Sequence, residues 1–395
     1  MKILMICGVY ADKNEQEILS CTKGYAEQSA NIFQRKLIKG IEKNGIEHKI
    51  LSAPLIGAYP MRYTQSRFCG FPSEDSSCEY VPFNNIWGIR NISRARSLKK
   101  AVKEYLDCET EEEFLILVYC PHTPFLEAAA YAKKIKPKSK ICLVVPDLPQ
   151  YMNLNEGGRG LYDFFKKYDI RYMERLIERV DSFVLLTEPM KDVLKVGGRP
   201  YIVTEGIADI DFVQTKPTAP DDGLKRIVYT GKMNVKFGIR ELVDSFMKLE
   251  DPAFRLILCG DGDARPYVEE KAASDPRIEY KGMVSSAQAK EYILTADVLV
   301  NPRPNNEEYT KYSFPSKNIE YLVTGNPVAA YLLDGIPENY RDFLYVIPPE
   351  GSSFDSVLLS ASRRAHEKSD FRFYASEYLC ADVVVRRILD LFSKS

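Results

Sequence analysis

From Lys2 almost to the last residue, short apolar runs alternate with amphipathic segments, and this rhythm restricts the fold more than any other feature of the sequence. KILMIC, FLILVY and ICLVV in the first half, and RIVYT, RLILC and DVLVN in the second, are apolar nearly throughout. Strands of that kind are buried on both faces, which requires a parallel sheet with helices on each side. Strands are predicted at residues 2–10, 48–52, 114–119, 141–145, 182–186 and 201–204, then at RIVYTG, RLILCG, RIEYKG, DVLVNP and PVAAYL. Helices are predicted at 25–43, on the spacing of Ala26, Ala30, Phe33, Leu37 and Ile41, then from Pro124, at 160–180 and from Glu188. Further helices are predicted at 240–249, 264–274, 286–294, 315–324 and 376–392.

The rhythm breaks twice. Residues 209–223 lose periodicity and carry two prolines and a DDG turn, which reads as a linker. A chain of 395 residues is also long for one hydrophobic core. The expectation is therefore an α/β protein of two open domains, 1–208 and 222–375, facing across a cleft. The closing helix, within 376–395, is long enough to pack back on the first. Ligands of such sheets sit at the carboxyl ends of the strands. The second break, residues 55–90, is rich in Tyr, Phe, Pro and Ser and holds the only tryptophan, Trp87. It reads either as an aromatic-lined acceptor wall or as a surface excursion.

Composition removes other classes. No apolar run approaches the roughly 20 residues that span a bilayer. MKILMICGVY has one lysine before its apolar stretch and no small-residue cleavage site after it, so it reads as a first strand and not as a signal peptide. The nine cysteines contain no CxxC pair, and Cys69 and Cys78 would bridge only in an oxidising compartment, so a cytoplasmic location is expected. Net charge is −1, but residues 1–200 carry +5 and the remainder −6. A mildly basic front half suits an anionic acceptor or membrane surface, or is ordinary variation between solvated faces. Trp87, Arg90, Arg94, Arg96, Lys99 and Lys100 would combine aromatic and basic surface for peripheral contact with the inner face of a membrane. Nucleic acid is not an expected partner.

Three stretches carry candidate chemistry in the second half. In YTKYSFPSKNIEYLVTGNP, Ser313 can cap a helix that Pro315 begins, and the free N–H groups at such a start favour phosphate. Lys317 adds a charge there, and Glu320, one turn on, can hold two ribose hydroxyls. In YTGKMNVKFGI, Gly231 turns the chain at a strand end, and Lys232 and Lys236 project two cations suited to a diphosphate leaving group. In CGDGD, Gly260 permits close backbone approach, while Asp261 and Asp263 read either as a turn or as a metal-binding pair. Each stretch has an ordinary alternative: a capped helix, solvated lysines and a strand-end turn.

Together these stretches resemble glycosyltransferase family 4, the large retaining family of GT-B fold. The resemblance is clearest over residues 226–330, in the strand-Gly-Lys loop, the GDG turn, IEYKG, ADVLVNP and the SFPSK…EYL…GNPV helix. It implies two Rossmann-like domains and a donor site of Gly231, Lys232, Lys236, Gly260, Ser313, Phe314, Pro315, Ser316, Lys317 and Glu320. Lys232 and Lys236 match the basic pair that holds the donor pyrophosphate, and Glu320 the ribose-binding glutamate. The family usually places another glutamate where this chain has Tyr312, with Glu307 and Glu308 near enough to substitute. In the first domain, His122 of YCPHTP matches a cleft histidine that contacts the sugar or positions the acceptor. Asp147 of VVPDLP ends the next strand, and Gly24 and Tyr25 stand where the family's first loop lies.

The resemblance implies a retaining, metal-independent hexosyltransferase with a UDP- or GDP-type donor and a glycan or lipid-linked acceptor, in surface polysaccharide synthesis. No further cofactor is expected. His122, Lys232 and Lys236 would carry the chemistry. A nucleotide-sugar epimerase of the same architecture and a non-catalytic sugar-nucleotide-binding protein are the alternatives.

Overall fold

The structure, a computed structural model, describes residues 2–24, 28–72, 76–151, 161–213, 217, 221–366 and 368–394. It divides into two units, residues 1–207 with 381–395, and residues 208–380.

The first unit begins with β1 (Lys2–Cys7), α1 (Asp12–Cys21), α2 (Ser29–Lys43) and β2 (His48–Ser52). Three short strands follow, β3 (Arg67–Phe68), β4 (Cys78–Tyr80) and β5 (Phe83–Asn84), and then α3 (Arg90–Asp107). Alternation resumes with β6 (Phe114–Tyr119), α4 (Thr123–Ile135), β7 (Lys140–Val145), α5 (Leu161–Ile177), β8 (Ser182–Leu185), α6 (Met190–Val193) and β9 (Tyr201–Val203). Seven strands form one parallel sheet in the order β4-β2-β1-β6-β7-β8-β9. β1, β6 and β7 are buried along almost their whole length, which is why their runs carry so few polar residues.

The second unit runs β10 (Lys225–Thr230), α7 (Ile239–Met247), β11 (Phe254–Cys259), α8 (Arg265–Ser274), β12 (Ile278–Gly282), α9 (Ser286–Thr295) and β13 (Val298–Asn301). α10 (Ser316–Leu322), β14 (Val328–Tyr331), β15 (Tyr345–Ile347), α11 (Phe354–Ser362) and α12 (Phe371–Tyr378) complete it. Its parallel sheet has the order β12-β11-β10-β13-β14-β15, the 3-2-1-4-5-6 arrangement of nucleotide-binding folds. The order reverses between β10 and β13, and in the first unit between β1 and β6. These reversals are where such sheets leave room for a ligand.

Several expectations need correction. Residues 12–21 are helical, and α2 starts at Ser29; Ala26 and Tyr25 lie outside the described residues. The single closing helix is two: α12 stops at Tyr378, Cys380 bridges to Ala208, and α13 (Ala381–Lys394) begins afresh. Within the first unit, α13 packs so closely on α2 that a Cβ on Gly40 would collide with the Ala381 carbonyl. Asn44 Nδ2 also donates to the Asp382 carbonyl at 2.9 Å, and Arg387 Nη2 to that of Val203 at 2.7 Å.

Residues 55–90 are not an open aromatic wall. Phe68 meets Phe71 edge-on at 5.2 Å and Phe83 at a tilt at 5.3 Å, Tyr80 meets Phe71 at 5.2 Å, and Tyr63 is buried, so these rings make a small core of their own. What they leave exposed is Met61, Ile86 and Trp87, together with Ile89 and Ile92 at the start of α3. Arg94 is not surface: it is 1 % exposed, donates to the Pro54 carbonyl at 2.6 Å and lies 4.3 Å from the Phe83 ring centre. Lys99 is ion-paired with Glu127. All nine cysteines are free thiols, Cys69 and Cys78 included. No helix among the described residues is long and apolar enough to cross a membrane.

Candidate active site

The carboxyl edge of the second sheet is built from loops that press backbone on backbone. Gly231 donates to the Cys259 carbonyl at 2.8 Å and Met233 to that of Asp261 at 2.9 Å, lacing the loop after β10 to the loop after β11. Gly260, at φ 139°, lies where a Cβ would fall inside the Gly231 carbonyl. Only glycine tolerates both the close approach and that backbone angle. Gly238, at φ 77°, faces the Pro302 carbonyl with equally little room, which ties the same loop to the one after β13.

Asp263 accepts the Val235 N–H at 2.7 Å, and Asp261 accepts the N–H of Gly262 at 2.9 Å. Both carboxylates brace the glycine turn. Among the described residues, no cluster of three His, Cys, Asp or Glu side chains suits a metal ion.

Against this braced edge stand four cations. Lys236 is exposed on its loop, and Lys232 is partly buried beside it. The end of the Lys317 side chain approaches Gly231 closely enough to occupy the place of a Cβ. Arg303, after β13, is the fourth, and the sequence motifs did not identify it. Its Nη2 donates to Ser313 Oγ at 3.1 Å, so Ser313 is not the helix cap that was expected. Pro315 takes that place, in extended conformation and without a side-chain cap, and Ser316 is the first helical residue. Phe314 is buried against Tyr340 at 5.2 Å and serves the core.

Glu320 lies partly buried one turn into α10. The helix is fixed to β10 by its neighbour Tyr321, whose hydroxyl accepts the Thr230 N–H at 3.0 Å. It is tied to β13 by Asn301 Nδ2, which donates to Asn318 Oδ1 at 2.6 Å. Tyr312 ends a short turn with Lys311 Nζ 4.9 Å from its ring centre. Glu307 and Glu308 are both exposed, and Glu308 pairs with Lys311 at 3.3 Å.

The carboxyl edge of the first sheet is of another kind. Cys120, directly after β6, holds φ 65°, a left-handed angle uncommon outside glycine, and its N–H reaches the Val144 carbonyl at 3.0 Å. The turn it makes sets His122 at the start of α4, with the ring edge-on to Phe125 at 4.6 Å. His122 keeps part of its surface open, while its Nδ1 is buried with no hydrogen-bond partner. Burial, then the positive charges of Arg94 and Arg90, hold its pKa well below the ordinary 6.5, so the ring is neutral. The same burial, with Arg90 beside it, pulls the Arg94 guanidinium down to about 9. Asp147 is exposed after β7, near enough to bear on the Cys120 thiol. Gly24 is exposed at φ 79° after α1, and Tyr25 lies outside the described residues.

Residues 224–355 match the family described as glycosyl transferases group 1. The chain is a GT-B glycosyltransferase. Its fold is similar to that of Anabaena HepE, solved in complex with UDP, at 14 % identity, full coverage of both chains and a TM-score of 0.61. It is also similar to sucrose-phosphate synthase from Thermosynechococcus elongatus, at 14 % identity, full coverage of both and 0.64. The lipopolysaccharide outer core galactosyltransferase WaaB, in its apo form, matches at 15 % identity, full coverage of both and 0.58. No curated protein matches the chain by sequence. At these identities the structures speak for the fold alone, and the matched domain for the activity.

Proposed function

We propose that this glycosyltransferase moves a hexose from a nucleoside diphosphate donor bound at the carboxyl edge of the second sheet. The observation that carries the reading is that Lys232 and Lys236 lie in the glycine-built loop after β10, at the switch point of a 3-2-1-4-5-6 sheet, with the end of Lys317 reaching Gly231 of that loop. Preorganised cations at that place stabilise charge developing on a departing diphosphate. Glu320, beside them, takes the ribose hydroxyls. His122, neutral with an unpartnered Nδ1, meets the sugar or the acceptor hydroxyl by hydrogen bonding and not as an acid, and Asp147 and the Gly24–Tyr25 segment border the acceptor.

Family 4 membership, retention of anomeric configuration and metal independence are what the motif resemblance implies, and this reading adopts them. In a retaining transfer the leaving diphosphate can itself take the acceptor's proton, so no strong dedicated base is required. The nucleotide is of UDP or GDP type, as in the HepE complex with UDP and glucose. The acceptor is a glycan or a lipid-linked glycan in surface polysaccharide synthesis, at the cytoplasmic side. Peripheral membrane contact falls to the exposed Met61, Ile86, Trp87, Ile89 and Ile92 with Arg96 and Lys100 beside them. Wild type should pellet with anionic vesicles at low salt and Trp87→Glu with Ile92→Glu should not; equal pelleting excludes this face.

Product analysis tests the central reading. Incubation with sugar nucleotides and no acceptor should give only slow release of free sugar of unchanged anomeric configuration. An epimerised sugar nucleotide would make the protein an epimerase, and donor binding without any turnover a non-catalytic one.

A further inference from the structure

Arg303 is the cation of the donor edge that the diphosphate does not account for. Two rings lie near it, its guanidinium carbon 5.7 Å from the centre of Phe237 and 4.9 Å from that of Tyr309. Lys236 Nζ stands 5.5 Å from the same Phe237 ring, so the two cations share one aromatic neighbour. One Nη2 hydrogen goes to Ser313, which leaves Nε–H and the remaining Nη hydrogens. Nε is buried without a hydrogen-bond partner, and no carboxylate pairs with Arg303 among the described residues. Of the acids on neighbouring loops, Glu308 pairs with Lys311 at 3.3 Å, Asp334 accepts from Asn305 at 2.6 Å and Asp263 accepts the Val235 N–H at 2.7 Å.

A buried guanidinium Nε–H with no internal acceptor is costly unless a ligand completes it. Three lysines already outnumber the two phosphates of a nucleoside diphosphate, and of the four cations only Arg303 carries a planar fork. The two nearby rings suit the face of a sugar ring, and the planar guanidinium fork suits a carboxylate, gripped by two parallel N–H groups.

We propose that Arg303 selects an acidic donor sugar, binding the carboxylate of a uronic acid carried on the nucleoside diphosphate. This rests on the donor site proposed above and names the class of sugar it takes.

Titration calorimetry with UDP, UDP-glucose and UDP-glucuronate tests it on wild type, Arg303→Gln and Arg303→Lys. If guanine is preferred, GDP, GDP-mannose and GDP-mannuronate replace them. Wild type should bind the uronate donor about ten- to a hundred-fold tighter than the neutral one, the range of a charged hydrogen-bonded contact. Arg303→Gln should erase that preference and leave the affinity for the nucleoside diphosphate alone unchanged. Arg303→Lys, which keeps the charge and loses the fork, should retain part of it, and serves if the glutamine variant does not fold. Equal affinity of wild type for neutral and acidic donors overturns the proposal. So does an Arg303→Gln variant that loses UDP as strongly as UDP-glucuronate, since Arg303 would then be a diphosphate ligand and the donor site would stand. No binding of any nucleotide overturns the donor site itself, and this inference with it.

Discussion

The two sheet edges are built by different means. The second-sheet edge is shaped by glycines, which let three loops touch backbone to backbone, and its cations sit at or near the surface around that frame. The first-sheet edge is shaped by buried side chains: a strained Cys120, a neutral His122 and an Arg94 sunk below them. An edge that must hold a charged ligand and then release it as a better anion gains from exposed cations on a rigid backbone. An edge that must handle neutral hydroxyls gains from a histidine kept uncharged.

The sharpest way to break this contrast is Gly260→Ala. The new Cβ would strike the Gly231 carbonyl at a φ alanine avoids, so the variant should lose about 3 kcal/mol or more of stability, together with nucleotide binding. Urea unfolding measures this. A loss under 1 kcal/mol would mean that the loops are not backbone-packed.

Glu320→Ala should instead leave the melting temperature nearly unchanged and weaken the nucleoside diphosphate about tenfold or more, as expected for a carboxylate shared by two hydroxyls. A 2′,3′-dideoxyribose analogue should bind wild type and variant alike. Discrimination by the variant would place the ribose elsewhere.

The smallest effect sharpens the other side. The pKa of folded His122 lies below that of the unfolded chain, so its contribution is complete above about pH 6.5 and is lost as pH falls toward the folded value. Between pH 7.5 and 5.5 wild type should lose on the order of 1 kcal/mol more than His122→Gln. Parallel pH profiles would mean that His122 protonates freely.

Most of the strand framework could be read from the sequence because a strand buried on both faces has almost no polar residues. The helices were harder to read. α1, DKNEQEILSC, buries only Ile18, so no periodic stripe announces it. α3 does bury a stripe, but Arg94 stands in it, and an arginine there reads as surface until its carbonyl partner at Pro54 is known. The break between α12 and α13 follows Leu379 with neither proline nor glycine to mark it. The glycines and lysines of the second-sheet loops could be singled out because their spacing is local. Arg303 was missed because its meaning comes from Phe237, far away in the sequence, and Cys120 because no residue type signals a left-handed angle there.

Calorimetric titration of UDP, GDP, ADP and TDP into wild type and Lys236→Ala tests the central claim most directly. One nucleotide should bind wild type, and Lys236→Ala should weaken it about tenfold or more through the loss of one charged contact, with no change in melting temperature of the free protein. Equal binding by the two proteins, or none by either, would contradict a diphosphate site at the carboxyl edge of the second sheet.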